Sequence, residues 1–233
     1  MPHAARRTAT VVERWSLLNA LGMLGAAAGA LWTTSVWPLL GSGGGLLAGL
    51  VWVARSRWTE SGAFGAANAV TALRVLLLGA LPPLTAAGPW GPVVLGGTFL
   101  AADGLDGWWA RRRGLTSEFG AFFDKEADAL FLLVLCALSA FEGHLPIWIL
   151  GVGLLRYGFV VMLFLVQPPE KTESRFSFAR YAYGAMVGAL LCSFLPYPRL
   201  YEPLVTLAAG ALLLSFAWST VQLVMRAGTE RQG

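Results

Sequence analysis

Long apolar runs separated by short polar breaks make up almost the whole chain. Two runs, 15–33 and 36–54, follow a basic segment that carries Arg6, Arg7 and Arg14. Pro38 and the glycine cluster at 41–45 are expected to mark the turn region between them. A polar break at 55–60 holds an interfacial tryptophan, Trp58, and leads into a stretch of small residues at 61–67. Six more runs follow, near 68–86, 93–103, 119–140, 147–166, 181–195 and 204–225. Several of these runs approach the ~20 residues that a helix needs to cross a bilayer, and they lack the ten-residue alternation of barrel strands. The pattern therefore predicts an all-α integral membrane protein with eight spans. Two of them form an N-terminal extension (1–59) and six form a core domain (60–233).

The polar residues inside this pattern are few and regularly spaced. Four aspartates, Asp103, Asp106, Asp124 and Asp128, fall at offsets of three, eighteen and four, with apolar runs on both sides. Offsets of three and four place side chains on one helical face. Asp103 and Asp106 thus share a face of one helix, and Gly120, Asp124 and Asp128 share a face of the next. Gly114 is suited to close the first helix, and Thr116 or Ser117 to cap the second. Carboxylates gathered this closely repel one another unless a cation compensates them. Hard oxygen ligands suit magnesium or manganese, and a pair of such ions about 4 Å apart can clamp a phosphoryl group. Gly107 and Gly120 leave room for a ligand against the backbone. Arg111, a fixed cation about one turn past Gly107, suits a phosphate oxygen.

Asp106-Gly107, Ala110-Arg111, eight residues, Gly120, Asp124 and Asp128 together resemble the signature of the CDP-alcohol phosphatidyltransferases, and Asp103 matches an earlier aspartate of that family. The resemblance covers about residues 60–225. It implies a six-helix CDP-alcohol phosphotransferase-like core, to which the first two spans are an addition. It further implies that Asp103, Asp106 and Asp124 hold metal ions and that Asp128 reaches a metal while acting as general base. Gly107, Ala110, Arg111 and Gly120 would then line the site of the cytidine diphosphate. Asn68, Thr71 and Arg74, spaced by three, resemble the polar residues that open the family's first core helix and face the nucleotide. The family often has a proline before that asparagine, where this chain has Ala67. Basic residues that meet a phosphate on the acceptor alcohol are carried over to Arg156 and Arg180. The resemblance also implies a homodimer.

Composition narrows the reading. Hydrophobic residues make up 56% and charged residues 13%, against about 25% charged in an ordinary soluble domain. The net charge of +4 fits the bias of cytoplasmic loops toward Lys and Arg and gives no reason to expect a nucleic-acid partner. Cys136 and Cys192 both lie in apolar runs and read as small buried hydrophobes. The first run is long and lacks a convincing cleavage site, so it is expected to remain as a span. With the N-terminus in the cytoplasm, nearly all cationic residues fall on the cytoplasmic side. Arg199 is the exception, and Arg156 lies within a span, where a charge normally faces a cavity or a partner. The aspartate hairpin then faces the cytoplasm, in a bacterial-type cell membrane.

The expected activity is transfer of a phosphatidyl or related group from a CDP-linked lipid donor to an alcohol acceptor, with release of CMP. Two other classes use similar residues. A cation-binding scaffold or transporter would show no CMP release. A membrane prenyltransferase would carry more closely spaced aspartates without the Gly-x-x-Ala-Arg element.

Overall fold

In a computed structural model, the backbone is described for residues 2–56, 58–59, 63–113, 117–166 and 177–230. The side chains of 2–13, 103–113, 166, 177–178 and 223–230 lie outside that description. The described residues form helices and turns, without strands. In chain order the helices are α1 (Pro2–Thr33), α2 (Trp37–Val53), α3 (Ala66–Leu77), α4 (Leu81–Ala87), α5 (Trp90–Arg113), α6 (Glu118–Phe141), α7 (Ile149–Val166), α8 (Ser177–Ser193) and α9 (Pro198–Glu230). A single tighter turn, Leu78–Ala80, joins α3 to α4, so that Ala66–Ala87 forms one rod.

By length and composition, Arg14–Thr33, Ala66–Ala87 and Pro198–Gln222 are long and apolar enough to cross a membrane. Trp37–Val53, Trp90–Ala102 and Ile149–Leu165 are apolar but shorter. Large apolar side chains such as Leu76, Leu165, Leu207 and Leu214 stand exposed on the helix surfaces. An apolar exterior of this kind belongs in lipid, where helices satisfy their own backbone groups. The protein is therefore an all-helical membrane protein.

Helix α6 is the axis of the molecule. It packs against α2, α3, α7 and α8. Its stretch from Ala129 to Leu138 is buried on every side. Ser139 at its far end shares a hydrogen bond of 2.8 Å with Ser193 of α8, and both are fully buried.

Three boundaries differ from the sequence expectation. The glycine cluster at 41–45 is not a turn but lies inside α2, and the chain reverses earlier, at Thr34 and Ser35. Pro38 sits in the first turn of α2, where its missing N–H costs nothing. Gly43 faces Leu130 so closely that a Cβ would lie 2.5 Å from Leu130 Cδ1. The glycines there serve close helix packing. Helix α1 extends back to Pro2 through the basic segment, and α9 begins at Pro198, ahead of the apolar run. Apolar content locates the part of a helix that sits in lipid, not the turns that continue beyond it.

Candidate active site

The site forms where α3 crosses the first half of α6. Ser117 caps α6, its Oγ accepting from the Gly120 N–H at 2.9 Å, as expected for one of the two proposed caps. Gly114 and Thr116 lie outside the described residues. Aromatic contacts pin the incoming chain to α6. The Trp58 indole donates to the Val51 carbonyl at 2.9 Å, and its ring meets Phe64, which in turn meets Phe123 of α6. Gly65, at φ 80°, then turns the backbone into α3.

The first polar residues of α3 point at α6. Asn68 is 3% exposed and donates to the Phe64 carbonyl. Its Oδ1 lies where a Cβ on Gly120 would be only 2.7 Å away. Gly120 is thus a place of close approach, and a side chain there would push Asn68 aside. Thr71, one turn on, donates weakly to Asp124 Oδ1 at 3.4 Å. Arg74, a further turn on, binds Asp124 through one guanidinium nitrogen and reaches Asp128 Oδ1 at 3.6 Å through the other. Residues spaced by three on α3 therefore meet residues spaced by four on α6, as the sequence periodicity predicts. From the other side, the Tyr183 hydroxyl of α8 donates to the Asp128 carbonyl at 3.1 Å.

Arg74 is 12% exposed, Asp124 37% and Asp128 25%. The pair of carboxylates is thus partly open and backed by a mostly covered cation. A narrow cleft beside Asp128 is walled by Val75, Leu78, Phe99, Ala127 and Phe131. One wall of the site is therefore charged and the other apolar.

Asp103, Asp106, Gly107, Ala110 and Arg111 lie on the final turns of α5, and their side chains are outside the described residues. Phe99 of α5 packs edge-on against Phe131 of α6 at 5.3 Å. Along the chain, Asp103 follows Phe99 by one turn of α5, and Asp128 precedes Phe131 by about one turn of α6.

Among the described residues no three His, Cys, Asp or Glu side chains cluster. The donor set does fit a hard divalent cation, because Asp124 and Asp128 already turn their oxygens toward one positive group, the Arg74 guanidinium. Oxygen-only ligands suit magnesium or manganese.

Among the described residues, Arg156 of α7 pairs with Glu126. Glu126 is 2% exposed, and its second oxygen accepts from Asn19 Nδ2 of α1 at 2.8 Å. Sequence reasoning singled out neither Glu126 nor Asn19. The available signal was Glu126 itself, an acid in an apolar helix, and such a residue needs a partner. Arg180 lies in the first turn of α8 and is exposed, one turn before Tyr183.

The family profile for CDP-alcohol phosphatidyltransferase matches residues 64–225. A Drosophila melanogaster protein described as a probable cardiolipin synthase (CMP-forming) is 36% identical over 112 residues, covering 43% of this chain and 34% of that protein. The chain thus aligns with about a third of that relative's length. No solved structure matches. Enzymes of the matched family generally depend on a divalent metal. The chain belongs to the CDP-alcohol phosphatidyltransferase family.

Proposed function

We propose that the protein transfers a phosphatidyl group from a CDP-linked lipid such as CDP-diacylglycerol to an alcohol, releasing CMP, at the cytoplasmic face of a bacterial-type membrane. The observation that carries this reading is the convergence of Asp124 and Asp128 on Arg74. The name of the Drosophila relative, which specifies CMP formation, supports the same leaving group.

Asp103, Asp106, Asp124 and Asp128 would hold magnesium or manganese, as a two-metal site. Such ions would neutralise charge on the diphosphate and on the departing CMP. Arg74 and Arg111, with the open backbone at Gly107 and Gly120, would seat the nucleotide diphosphate, and Asn68, Thr71 and Ala110 would complete its pocket. Val75, Leu78, Phe99 and Phe131 form the apolar side of the site. Asp128 takes the proton of the acceptor hydroxyl. The hydroxyl oxygen attacks the phosphorus that carries the lipid, the bond from that phosphorus to the CMP oxygen breaks, and CMP leaves. Tyr183 holds the Asp128 backbone from α8, which keeps the carboxylate in place.

Arg180, exposed one turn from Tyr183, is suited to meet a phosphate on the acceptor. Arg156 shares its charge with Glu126, so its part in acceptor binding is weaker. The test is CMP release by purified protein given CDP-diacylglycerol, magnesium or manganese, and a panel of acceptors: glycerol 3-phosphate, inositol phosphate, inositol, serine, choline and phosphatidylglycerol. The expected result is metal-dependent CMP release with at least one acceptor and its loss with EDTA. No release with any acceptor would contradict the proposal.

A further inference from the structure

Helix α6 presents a second stripe with the same spacing as the aspartate stripe. Phe122, Glu126 and Leu130 recur every four residues, and Glu126 lies about 200° around the helix from Asp124. Each of the three meets the segment 14–53, which precedes the family match. Trp15 of α1 packs edge-on to Phe122 with ring centroids 5.6 Å apart. Asn19, one turn further along α1, donates to Glu126 at 2.8 Å. Gly43 of α2 lets that helix close on Leu130.

The contact at Glu126 is polar, while those on either side of it are not. Apolar packing tolerates small slips of one helix against another. A buried carboxylate does not, because losing a partner in apolar surroundings leaves charge uncompensated. Glu126 is 2% exposed and divides its two oxygens between Asn19 of α1 and Arg156 of α7. The two partners come from different helices, so α6 cannot turn about its axis and keep both. Any such turn would also swing Asp124 and Asp128 away from α3.

We propose that Glu126, held by Asn19 and Arg156, is a positioning residue that fixes the rotation of α6, so that Asp124 and Asp128 present their oxygens together to a divalent cation. The extension thereby contributes to the site through Asn19. Its catalytic consequence rests on the transferase reading above; its consequence for cation binding does not.

The test uses full-length Asn19→Leu, which removes the amide and leaves the Glu126–Arg156 pair in place. Free Mn2+ is followed by electron paramagnetic resonance on purified protein without substrate, and CMP release is titrated against Mn2+. The Mn2+ dissociation constant is expected to rise roughly 3- to 10-fold, below the 10- to 100-fold typical of groups that touch a ligand directly. The half-activating Mn2+ concentration should rise by the same factor, with kcat at saturating Mn2+ changed by less than about 2-fold. Asn19→Gln, which retains an amide donor, should recover most of the affinity.

An unchanged Mn2+ affinity in Asn19→Leu, whether activity is normal or merely reduced through fewer folded molecules, overturns the proposal. Should Asn19→Leu fail to insert, Asn19→Ala gives the same reading with the same deciding outcomes. If wild-type protein releases no CMP yet its Mn2+ affinity still falls on Asn19→Leu, the positioning role stands and the transferase reading fails.

Discussion

Arg74 sits between two acids that cannot approach each other uncompensated. In the absence of metal, its guanidinium supplies the positive charge that Asp124 and Asp128 require, and a bound cation competes for the same oxygens. Arg74→Met should therefore raise Mn2+ affinity in the donor-free protein. It should also raise the KM for the CDP-linked donor about 10- to 100-fold, the value of a charge-assisted hydrogen bond to a phosphate. A fall in Mn2+ affinity would contradict the competition. At the acceptor end, Arg180→Ala should raise the acceptor KM without changing the donor KM if the acceptor carries a phosphate. An unchanged acceptor KM removes Arg180 from that role. The polar residues proposed for the site stand out in the sequence because helical spacing repeats them. Asn68, Thr71 and Arg74 step by three, and Asp124 and Asp128 by four. Asn19 and Glu126 were not legible, since each is a lone polar residue in an apolar run. Their bond spans 107 positions, and the Glu126–Arg156 pair spans 30, distances over which no local period operates.

Helix α6 begins at a crowded point, and substitutions there separate packing from chemistry. Gly120→Ala would set a methyl group 2.7 Å from Asn68 Oδ1 and 2.9 Å from Ser117 Oγ, so that both the cap and the Asn68 contact must shift. The expected outcome is a raised donor KM and a stability loss near the ~1 kcal/mol that a lost helix cap costs. Two neighbouring glycines of α2 give a sharper contrast. Gly43→Ala would place Cβ 2.5 Å from the buried Leu130, whereas Gly44 has nothing within 4 Å. Gly43→Ala should lower thermal stability by about 1–3 kcal/mol through overpacking, while Gly44→Ala should be neutral or slightly stabilising. Equal effects in detergent melting curves would contradict the packing of α2 on α6. The apolar runs mark these helices well but misplace their ends. A glycine cluster reads as a turn when only local propensity is considered, and becomes a contact surface once a partner helix is present.

For the whole molecule, the proposed orientation rests on charge. Placing the N-terminus in the cytoplasm puts the 55–60 break inside and Arg199 outside. In intact cells an impermeant maleimide should label Arg199→Cys and leave Arg55→Cys unlabelled. Native background should be low, since Cys136 is buried and Cys192 half-buried. The reverse pattern would place the aspartates on the wrong side for a CDP-linked substrate. The central claim is that Asp128, held by Arg74 from α3 and Tyr183 from α8, acts as the base in phosphatidyl transfer. It is tested most directly by CMP release from CDP-diacylglycerol in purified wild type and Asp128→Asn at saturating Mn2+, with binding of the CDP-lipid measured in the same samples. The account predicts retained CDP-lipid binding and a fall in turnover of about 100- to 10,000-fold, the share of a positioned base. Turnover at the wild-type rate in Asp128→Asn would contradict it.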